Sequence, residues 1–319
     1  MKQRPSEPEL GLIIPCHNEE DVVPELLHAL EDLDLGIPVS VLFVDDGSTD
    51  GTLEAFKEAC LHNKRLACLS FSRNFGHQSA VSAGLRHVRG DIVAVLDADL
   101  QDPPEVLHEF VKAWRNGADV VYGIRTNRKE SLFLRLAYRM FYRLLQRIAN
   151  IHIPLDAGDF ALMDRKVVSV INAMPEHNRF IRGLRGWAGF KQTGIPYERQ
   201  ARRAGRPSYT LKRLMRLAFD GLMSFSAVPL RVSSWMGAAS ALLGFGYLAY
   251  ALTCWLRGIQ LPPGWTSTIV VVLFLGGIQL MVLGILGEYI GRIFDEVKNR
   301  PHYVPSAAYG WLKGEDEAA

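Results

Sequence analysis

Two acidic side chains, Asp97 and Asp99, follow the largely apolar run 91–96 and are separated by a single residue. If this run is a buried strand, residues two apart point to the same side at its end, and the amide of Gln101 continues that phase. Two carboxylates and an amide oxygen on one side suit a hard divalent cation that also holds phosphate oxygens. A solvated turn explains these residues equally well when they are taken alone, because Asp favours turns.

Short apolar runs alternate with helical patterns in the first half of the chain and predict the elements that would position these carboxylates. The predicted strands are 10–15, 39–44, 66–71, 91–96, 118–122 and 160–163, and the predicted helices are 22–33, 53–63, 78–88 and 164–174. This alternation is typical of an α/β fold with a mostly parallel sheet and helices on both faces. Such sheets bind ligands beyond the carboxyl ends of their strands, where the polar clusters of this sequence lie. That agreement favours a metal site over a simple turn.

The overall charge and the cysteines argue against several classes of protein. The formal net charge is +2, so nothing in it demands a nucleic-acid partner. The four cysteines show no C-x-x-C spacing, which predicts free thiols in a reducing compartment and no zinc site. Residues 1–9 are polar, so we expect no signal peptide. No G-x-G-x-x-G follows the first strand, which argues against a dinucleotide-binding oxidoreductase.

Two uncharged stretches near the end of the chain, 233–256 and 266–287, each exceed the roughly 20 residues that cross the core of a bilayer. Buried helices of a soluble protein are the alternative, but two such stretches in succession favour a transmembrane hairpin. The short connector contains one basic residue, Arg257, whereas several basic residues flank the outer ends of the hairpin. They are Lys212, Arg213, Arg216, Arg231, Arg292, Lys298 and Arg300. This bias predicts that the N-terminal domain and both termini lie in the cytoplasm.

A basic amphipathic helix is predicted over 131–149, where arginines recur every four residues. It suits an anionic membrane surface, although an ordinary helix packed on the sheet has the same pattern. A mobile loop over 197–209 precedes a second amphipathic helix. The predicted organisation is an α/β domain over 1–210, a juxtamembrane helix over 211–232, the two spans, and a tail over 288–319 that is extended beyond Pro301.

Several segments resemble the family 2 glycosyltransferases, which have the GT-A fold. They are Ile14–Glu19, Val44–Thr52, Gly90–Asp91 and Asp97–Pro104. Further segments resemble a narrower group, the polyprenyl-phosphate glycosyltransferases, such as bactoprenol glucosyltransferases, undecaprenyl-phosphate aminoarabinose transferases and dolichyl-phosphate mannose synthase. They are Asp156–Phe160, Arg179–Gly183 and Gly287–Lys298. Their order and spacing, together with the two spans, extend the resemblance over residues 10–302.

The resemblance implies inverting, metal-dependent transfer of a hexose from a UDP-sugar such as UDP-glucose to a polyprenyl phosphate at the cytoplasmic face of a bacterial inner membrane. It implies a GT-A catalytic domain, and a homo-oligomer such as a tetramer with the C-terminal tail packed on a neighbour. The nucleoside would lie against Pro15, Asn18, Glu19, Asp46 and Asp97. Mg²⁺ or Mn²⁺ would be held by Asp97, Asp99 and Gln101, which gives Asp99 a part in catalysis.

The resemblance also assigns residues to the acceptor and the phosphates. Asp156 matches a position suspected of acting as a base or of orienting the acceptor, although a helix cap or a turn explains it equally well. Arg125, Arg199 and Arg202 match positions that bind phosphate, and solvated or headgroup-bound arginines are the alternative. One departure is Ser208, which stands before Tyr209 where the family often has a lysine, so a lysine contact from that position is absent.

Two other functions share parts of this pattern. A processive polysaccharide synthase has the same D-x-D, but it needs many more membrane helices and a Gln-x-x-Arg-Trp motif, which Arg185-Gly-Trp187 resembles only loosely. A non-catalytic, membrane-anchored subunit that binds sugar nucleotides would need neither the D-x-D nor the arginines. Both features are present in this chain, so a transferase is the favoured interpretation.

Overall fold

The computed structural model describes residues 4–125, 157–177, 179–198, 228–257 and 264–313. The chain divides into two compact units, the first made of 1–146, 150–208 and 301–319 and the second of 147–149 and 209–300. The two predicted amphipathic helices and most of the predicted loop 197–209 lie outside the described residues.

An eight-stranded mixed sheet forms the centre of the first unit. Its strands are β1 (Leu10–Cys16), β2 (Val39–Asp45), β3 (Leu66–Phe71), β4 (Ile92–Val95), β5 (Val120–Arg125), β6 (Ala157–Asp164), β7 (Gln192–Tyr197) and β8 (Pro305–Gly310). The order across the sheet is β7-β5-β6-β4-β1-β2-β3-β8. Only β6 and β8 run antiparallel to their neighbours, so the prediction of a mostly parallel sheet is confirmed.

Helices cover both faces of this sheet, as predicted. They are α1 (Val23–Glu31), α2 (Thr52–His62), α3 (His77–His87), α4 (Leu107–Arg115), α5 (Arg165–Ala173) and α6 (Ile181–Trp187). Because side chains alternate along a strand, Leu12 and Ile14 pack with α1, α2 and α4, whereas Ile13 packs with α3, α5 and α6. Each such buried aliphatic side chain contributes about 1.5–3 kcal/mol of transfer free energy. The two apolar cores hold the carboxyl ends of the strands in fixed positions.

The strand before the two acidic residues is shorter than the sequence predicted. β4 ends at Val95, so Asp97 and Asp99 lie in a turn, and Leu100 has the left-handed φ of 51°. The argument from strand alternation was therefore wrong, although the carboxyl end of β4 remains their location. An Asp-rich turn competes with strand geometry because Asp side chains bond to nearby backbone groups.

The end of the chain returns to the first unit as β8. This strand pairs antiparallel with β3, and the N–H of Ser72 donates to the carbonyl of Val304. The ring of Tyr303 stacks on Phe71 at 4.9 Å between centroids. The segment predicted to be extended beyond Pro301 is thus the edge strand of the sheet within this chain.

Two long helices form the described part of the second unit, α7 (Val228–Leu256) and α8 (Trp265–Lys298). They contain the two uncharged stretches and pack against each other. Both are long and apolar enough to cross a membrane. Large apolar side chains on them, such as Leu243, Phe245 and Leu280, are exposed. A helix that is apolar on its outer surface is suited to lipid rather than water.

Candidate active site

Two loops at the carboxyl ends of β1 and β2 are joined through Asn18. Its backbone N–H donates to the Ser48 hydroxyl at 3.0 Å, and its side-chain oxygen accepts from the N–H of Thr49 at 2.8 Å. Asn18 has a φ of 54°, a left-handed conformation that asparagine tolerates better than most residues. The resemblance implies a contact between Asn18 and the nucleoside. The structure shows that Asn18 also fixes the loop after β2.

The neighbouring residues extend this connection. The N–H of Glu19 donates to the Thr52 hydroxyl at 2.9 Å, and a carboxylate oxygen of Glu20 accepts from the N–H of Gly51 at 2.9 Å. Pro15 is buried within β1 beside Val44 of β2. The loop after β1 is therefore tied to the loop after β2 at the carboxyl edge of the sheet.

Asp46 binds the loop between β3 and α3 to the same edge of the sheet. Its two carboxylate oxygens accept hydrogen bonds from the N–H groups of Phe75 and Gly76, at 2.6 and 2.8 Å. Burial raises the pKa of Asp46, and these two hydrogen bonds oppose that effect. Asp46 thus positions the start of α3, in addition to the nucleoside contact that the sequence predicts for it.

A chain of hydrogen bonds connects β8 with the loop that contains Asp46. The Ser306 hydroxyl donates to the Ser70 carbonyl at 3.1 Å, and the Ser70 hydroxyl donates to Asp45 at 2.7 Å. Asp45 in turn accepts from the N–H of Ser48 at 3.1 Å. Strand β8 therefore stabilises the loop after β2 through these hydrogen bonds.

Negative charge is concentrated in the turn after β4. Burial raises the pKa of Asp97 to about 6, and the charges of Asp159, Asp102 and Asp99 add to this, whereas His77 opposes it. A carboxylate oxygen of Asp99 accepts from the N–H of Gln101 at 3.2 Å, and Gln101 is buried. A cation placed here would relieve the repulsion between these carboxylates.

The donor set of this turn fits Mg²⁺ or Mn²⁺, because both prefer carboxylate and amide oxygens. In the part of the chain that the structure describes, no group of three or more His, Cys, Asp or Glu side chains is arranged to hold a metal ion. Mg²⁺ is commonly bound through one or two carboxylates together with substrate phosphates. The turn therefore offers oxygen ligands of the kind that hold such an ion together with a diphosphate.

Asp102, which is fully buried, links this turn to the far edge of the sheet. It accepts a hydrogen bond from the Tyr197 hydroxyl at 2.5 Å and lies 3.4 Å from the Arg125 guanidinium. Arg125 also donates to the Tyr197 oxygen at 3.2 Å. Arg125 is thus held by two protein groups at the carboxyl end of β5, and the contact with phosphate that the sequence predicts remains a prediction. The sequence analysis missed Asp102 and Tyr197 as parts of the site.

A second ion-pair cluster, which the sequence analysis also missed, surrounds Asp159 on β6. Arg182 donates to both of its carboxylate oxygens, at 3.1 and 3.2 Å, and His77 lies 3.4 Å away. The side-chain nitrogen of Gln78 lies 3.5 Å from a carboxylate oxygen of Asp159. Burial would raise the pKa of Asp159, but the Arg182 charge and these hydrogen bonds outweigh burial and hold the pKa well below its usual range. The sequence signals were the runs Asp156–Phe160 and Arg179–Gly183, which contain Asp159 and Arg182 but were given no contact between them.

Arg185 and Trp187, the pair that loosely resembles part of the synthase motif, have opposite environments. Arg185 is fully buried, and its guanidinium lies 5.6 Å from the centre of the Tyr122 ring. Trp187 is 64% exposed. The two side chains therefore do not form a common surface for a growing sugar chain.

Three predicted site residues, Asp156, Arg199 and Arg202, lie outside the described residues. The structure brings Pro15, Asn18, Glu19, Asp46, Asp97, Asp99, Gln101 and Arg125 to the same edge of the sheet, which is the edge where ligands bind in folds of this class.

Comparison with known proteins identifies the family. A model described as glycosyl transferase family 2 matches residues 12–171. The chain belongs to this family. A second model, the GtrB C-terminal hairpin, matches residues 228–293, which cover most of α7 and α8. The family 2 match thus includes the loops after β1, β2 and β4 described above, and the apolar helices with the matched hairpin indicate association with a membrane.

Similar proteins extend over nearly the whole chain. An uncharacterized glycosyltransferase, YkcC of Bacillus subtilis, is 43% identical over 95% of this chain and 94% of its own length. A second uncharacterized glycosyltransferase, sll0501 of Synechocystis, is 41% identical over 95% and 96%. A prophage-derived bactoprenol glucosyl transferase of Shigella flexneri is 38% identical over 93% and 97%. These relatives include the region of the hairpin as well as the family 2 domain.

Proposed function

We propose that this glycosyltransferase moves one sugar from a UDP-sugar, such as UDP-glucose, to the phosphate of a polyprenyl phosphate such as undecaprenyl phosphate. The observation that supports this acceptor best is the similarity to a bactoprenol glucosyl transferase over almost the full length of both chains. A transferase with a water-soluble acceptor would have no use for the apolar hairpin. The donor site would lie at the carboxyl ends of β1 and β2, at Pro15, Asn18, Glu19 and Asp46.

The leaving group of this reaction is a nucleoside diphosphate, which carries negative charge away from the sugar. Mg²⁺ or Mn²⁺, when held by Asp97, Asp99 and Gln101, would neutralise that charge and so lower the barrier to departure. Asp97 and Asp99 supply oxygen atoms and do not transfer protons. Arg125, fixed by Asp102 and Tyr197, adds a positive charge at the end of β5, which is separated from β4 by β6.

The attacking group is an oxygen of the acceptor phosphate, which is already an anion near neutral pH. It needs no strong general base, so a residue that orients the phosphate is sufficient. We assign this orienting role to Asp156, with Arg199 and Arg202 as partners of the phosphates. Asp159 is a poor proton acceptor because its negative charge is already paired with Arg182 and His77. A single displacement at the anomeric carbon inverts its configuration.

The membrane arrangement follows from charge and composition. We place the family 2 domain and both termini on the cytoplasmic side of a bacterial inner membrane, because the basic residues flank the hairpin on its outer ends. The basic stripe over 131–149 would contact anionic headgroups beside the acceptor. A homo-oligomer such as a tetramer remains part of this proposal.

A sugar-nucleotide panel tests the function. The full-length protein in lipid nanodiscs would receive undecaprenyl phosphate, Mg²⁺ or Mn²⁺, and one UDP-sugar at a time, and free UDP would be measured. We expect turnover with at least one donor, and a loss of at least about a hundredfold in Asp99→Asn. Asp21→Asn, a change at an exposed carboxylate, is the matched control.

Two results would redirect the proposal. Tight UDP binding without turnover of any donor would support a non-catalytic sugar-nucleotide-binding subunit. A product with more than one sugar per lipid would support a processive synthase. Full activity of Asp99→Asn would overturn the metal site.

A further inference from the structure

The first helical residue of α3, His77, stands between two parts of the site and has no role in the mechanism above. On one side, the backbone of the preceding residues Phe75 and Gly76 is held by Asp46. On the other side, its imidazole Nε2 lies 3.4 Å from Asp159. Its charge also acts on Asp97, so the ring lies near the turn that would hold the metal.

The cluster around Asp159 fixes the ring in one orientation. Asp159 is itself held at two points by Arg182, and Gln78 accepts a hydrogen bond from the N–H of Ile181 at 2.9 Å, which ties α3 to the start of α6. Elements α3, β6 and α6 therefore all contribute to the position of one imidazole. A carboxylate that accepts from one ring nitrogen fixes the orientation of the ring. It therefore also fixes the direction in which the other ring nitrogen points.

The rest of the ring is accessible to a ligand. The His77 side chain is 44% exposed, and within the described ranges Nε2 is its only atom with a hydrogen-bond partner. Two carboxylates, Asp97 and Asp159, already act on the ring, so a further acidic side chain is not the group that this ring is suited to bind. When the ring is protonated both of its nitrogens donate, so a phosphate oxygen of a substrate has the chemistry to accept from the N–H that does not face Asp159.

We propose that His77 binds a substrate phosphate oxygen through its second ring nitrogen, with Asp159 as the positioning residue behind it. The phosphate belongs either to the lipid acceptor or to the diphosphate of the donor, and both present the same chemistry to the ring. This inference rests on the proposed function, because the phosphate that it invokes belongs to one of the two substrates of that reaction.

Kinetics of His77→Ala and His77→Gln test the inference in the full-length protein. A charged hydrogen bond to phosphate predicts a rise of about tenfold to a hundredfold in one dissociation or Michaelis constant for His77→Ala. Glutamine retains an N–H donor but no charge, so we expect an intermediate rise. His62→Ala, at the exposed end of α2, is the matched control and should change neither constant. Melting temperatures identify any variant that fails to fold, in which case the other variant decides.

The two sources of phosphate give different results. A higher KM for undecaprenyl phosphate with unchanged UDP affinity assigns the contact to the acceptor. A weaker UDP affinity in calorimetry with Mn²⁺ present assigns it to the donor. Unchanged constants, or a loss confined to kcat, would overturn the inference.

The calorimetric measurement separates this inference from the proposed function. A wild-type protein that makes no lipid-linked sugar refutes the function. In that event a weaker UDP affinity of His77→Ala still supports the phosphate contact, and an unchanged affinity refutes it.

Discussion

The hydroxyl of Tyr197 donates a 2.5 Å hydrogen bond to Asp102, a carboxylate that is completely buried beneath the turn after β4. The two residues are 95 positions apart, and they join β7 at one edge of the sheet to the loop that contains the D-x-D. Arg125 contacts both of them. The position of the turn that contains Asp97 and Asp99 therefore depends on a strand that lies far away in sequence.

Removal of the Tyr197 hydroxyl should weaken this link. Tyr197→Phe leaves buried Asp102 without its shortest hydrogen bond, so we expect the free energy of unfolding to fall by about 1–3 kcal/mol. We also expect a lower kcat, because Arg125 loses a partner. Chemical denaturation and steady-state assays measure the two effects. Tyr309→Phe on β8 is the control, and equal behaviour of the two variants would contradict the link.

Asp46→Asn tests the loop that leads into α3. An amide has one acceptor oxygen, and its NH₂ group would face one of the two N–H groups of Phe75 and Gly76. We expect a destabilisation of about 1–3 kcal/mol and a higher KM for the UDP-sugar. Asp21→Asn provides the comparison at an exposed site. A normal donor KM in a stable Asp46→Asn protein would show that neither the loop nor the nucleoside needs this carboxylate.

Two glycines with left-handed backbone offer a matched test of how β8 is attached. Gly310 has a φ of 70°, and an added methyl group would collide with the Leu66 carbonyl, whereas Gly36, with a φ of 62°, has open space around it. Gly36→Ala should cost about 1 kcal/mol from backbone strain alone. Gly310→Ala should cost more, because β8 must shift away from β3. Thermal unfolding of both variants measures this, and an equal loss would contradict the packing of β8.

The metal-free protein should show a pH dependence that originates at Asp97. Its pKa is raised to about 6, so the folded protein binds a proton more tightly than the unfolded chain does. Stability from this group is present below about pH 4 and is lost as the pH rises through 6. Asp97→Asn removes the penalty, so at pH 7 without metal the variant should be more stable than the wild type, by about 3 kcal/mol or less.

That difference should shrink as the pH falls towards 4, which denaturation at several pH values will measure. Mn²⁺ should stabilise the wild type at pH 7 more than the variant, because the ion takes the place of the proton. A wild type that is more stable than Asp97→Asn at pH 7 without metal would contradict this description of the turn.

Much of the family 2 domain was predictable because its first strands are continuous apolar runs. Strands at 10–15, 39–44 and 66–71 were placed within a residue or two, since a parallel strand buried on both faces needs no alternation. Strand β7 was missed, and β8 was predicted only as an extended segment, without its place in the sheet. Gln192–Tyr197 contains Gly194 and Pro196, and Pro305–Gly310 is small and half-exposed, so neither has a local strand signal.

The site was predictable where its residues sit next to a strong strand and not where they meet across the fold. Asp97, Asp99 and Asp46 directly follow apolar runs, which made them visible. Tyr197 and Arg182 reach the site through pairings that are separated by 95 and 23 residues from their partners, and no local pattern records such contacts. The turn after β4 was assigned to the end of a strand because the hydropathy of a sequence does not record the local hydrogen bonds of a turn.

The most direct test of the central claim is the structure of the product. Full-length protein in nanodiscs, given UDP-glucose, undecaprenyl phosphate and Mn²⁺, should yield a lipid that carries a single glucose on its phosphate. Nuclear magnetic resonance should show that the α-linked glucose of the donor has become β-linked, which is the result of one inverting displacement. If glucose is not the natural sugar, the same result is expected with another UDP-sugar. An α-linked product, or no lipid-linked sugar from any UDP-sugar, would contradict the account.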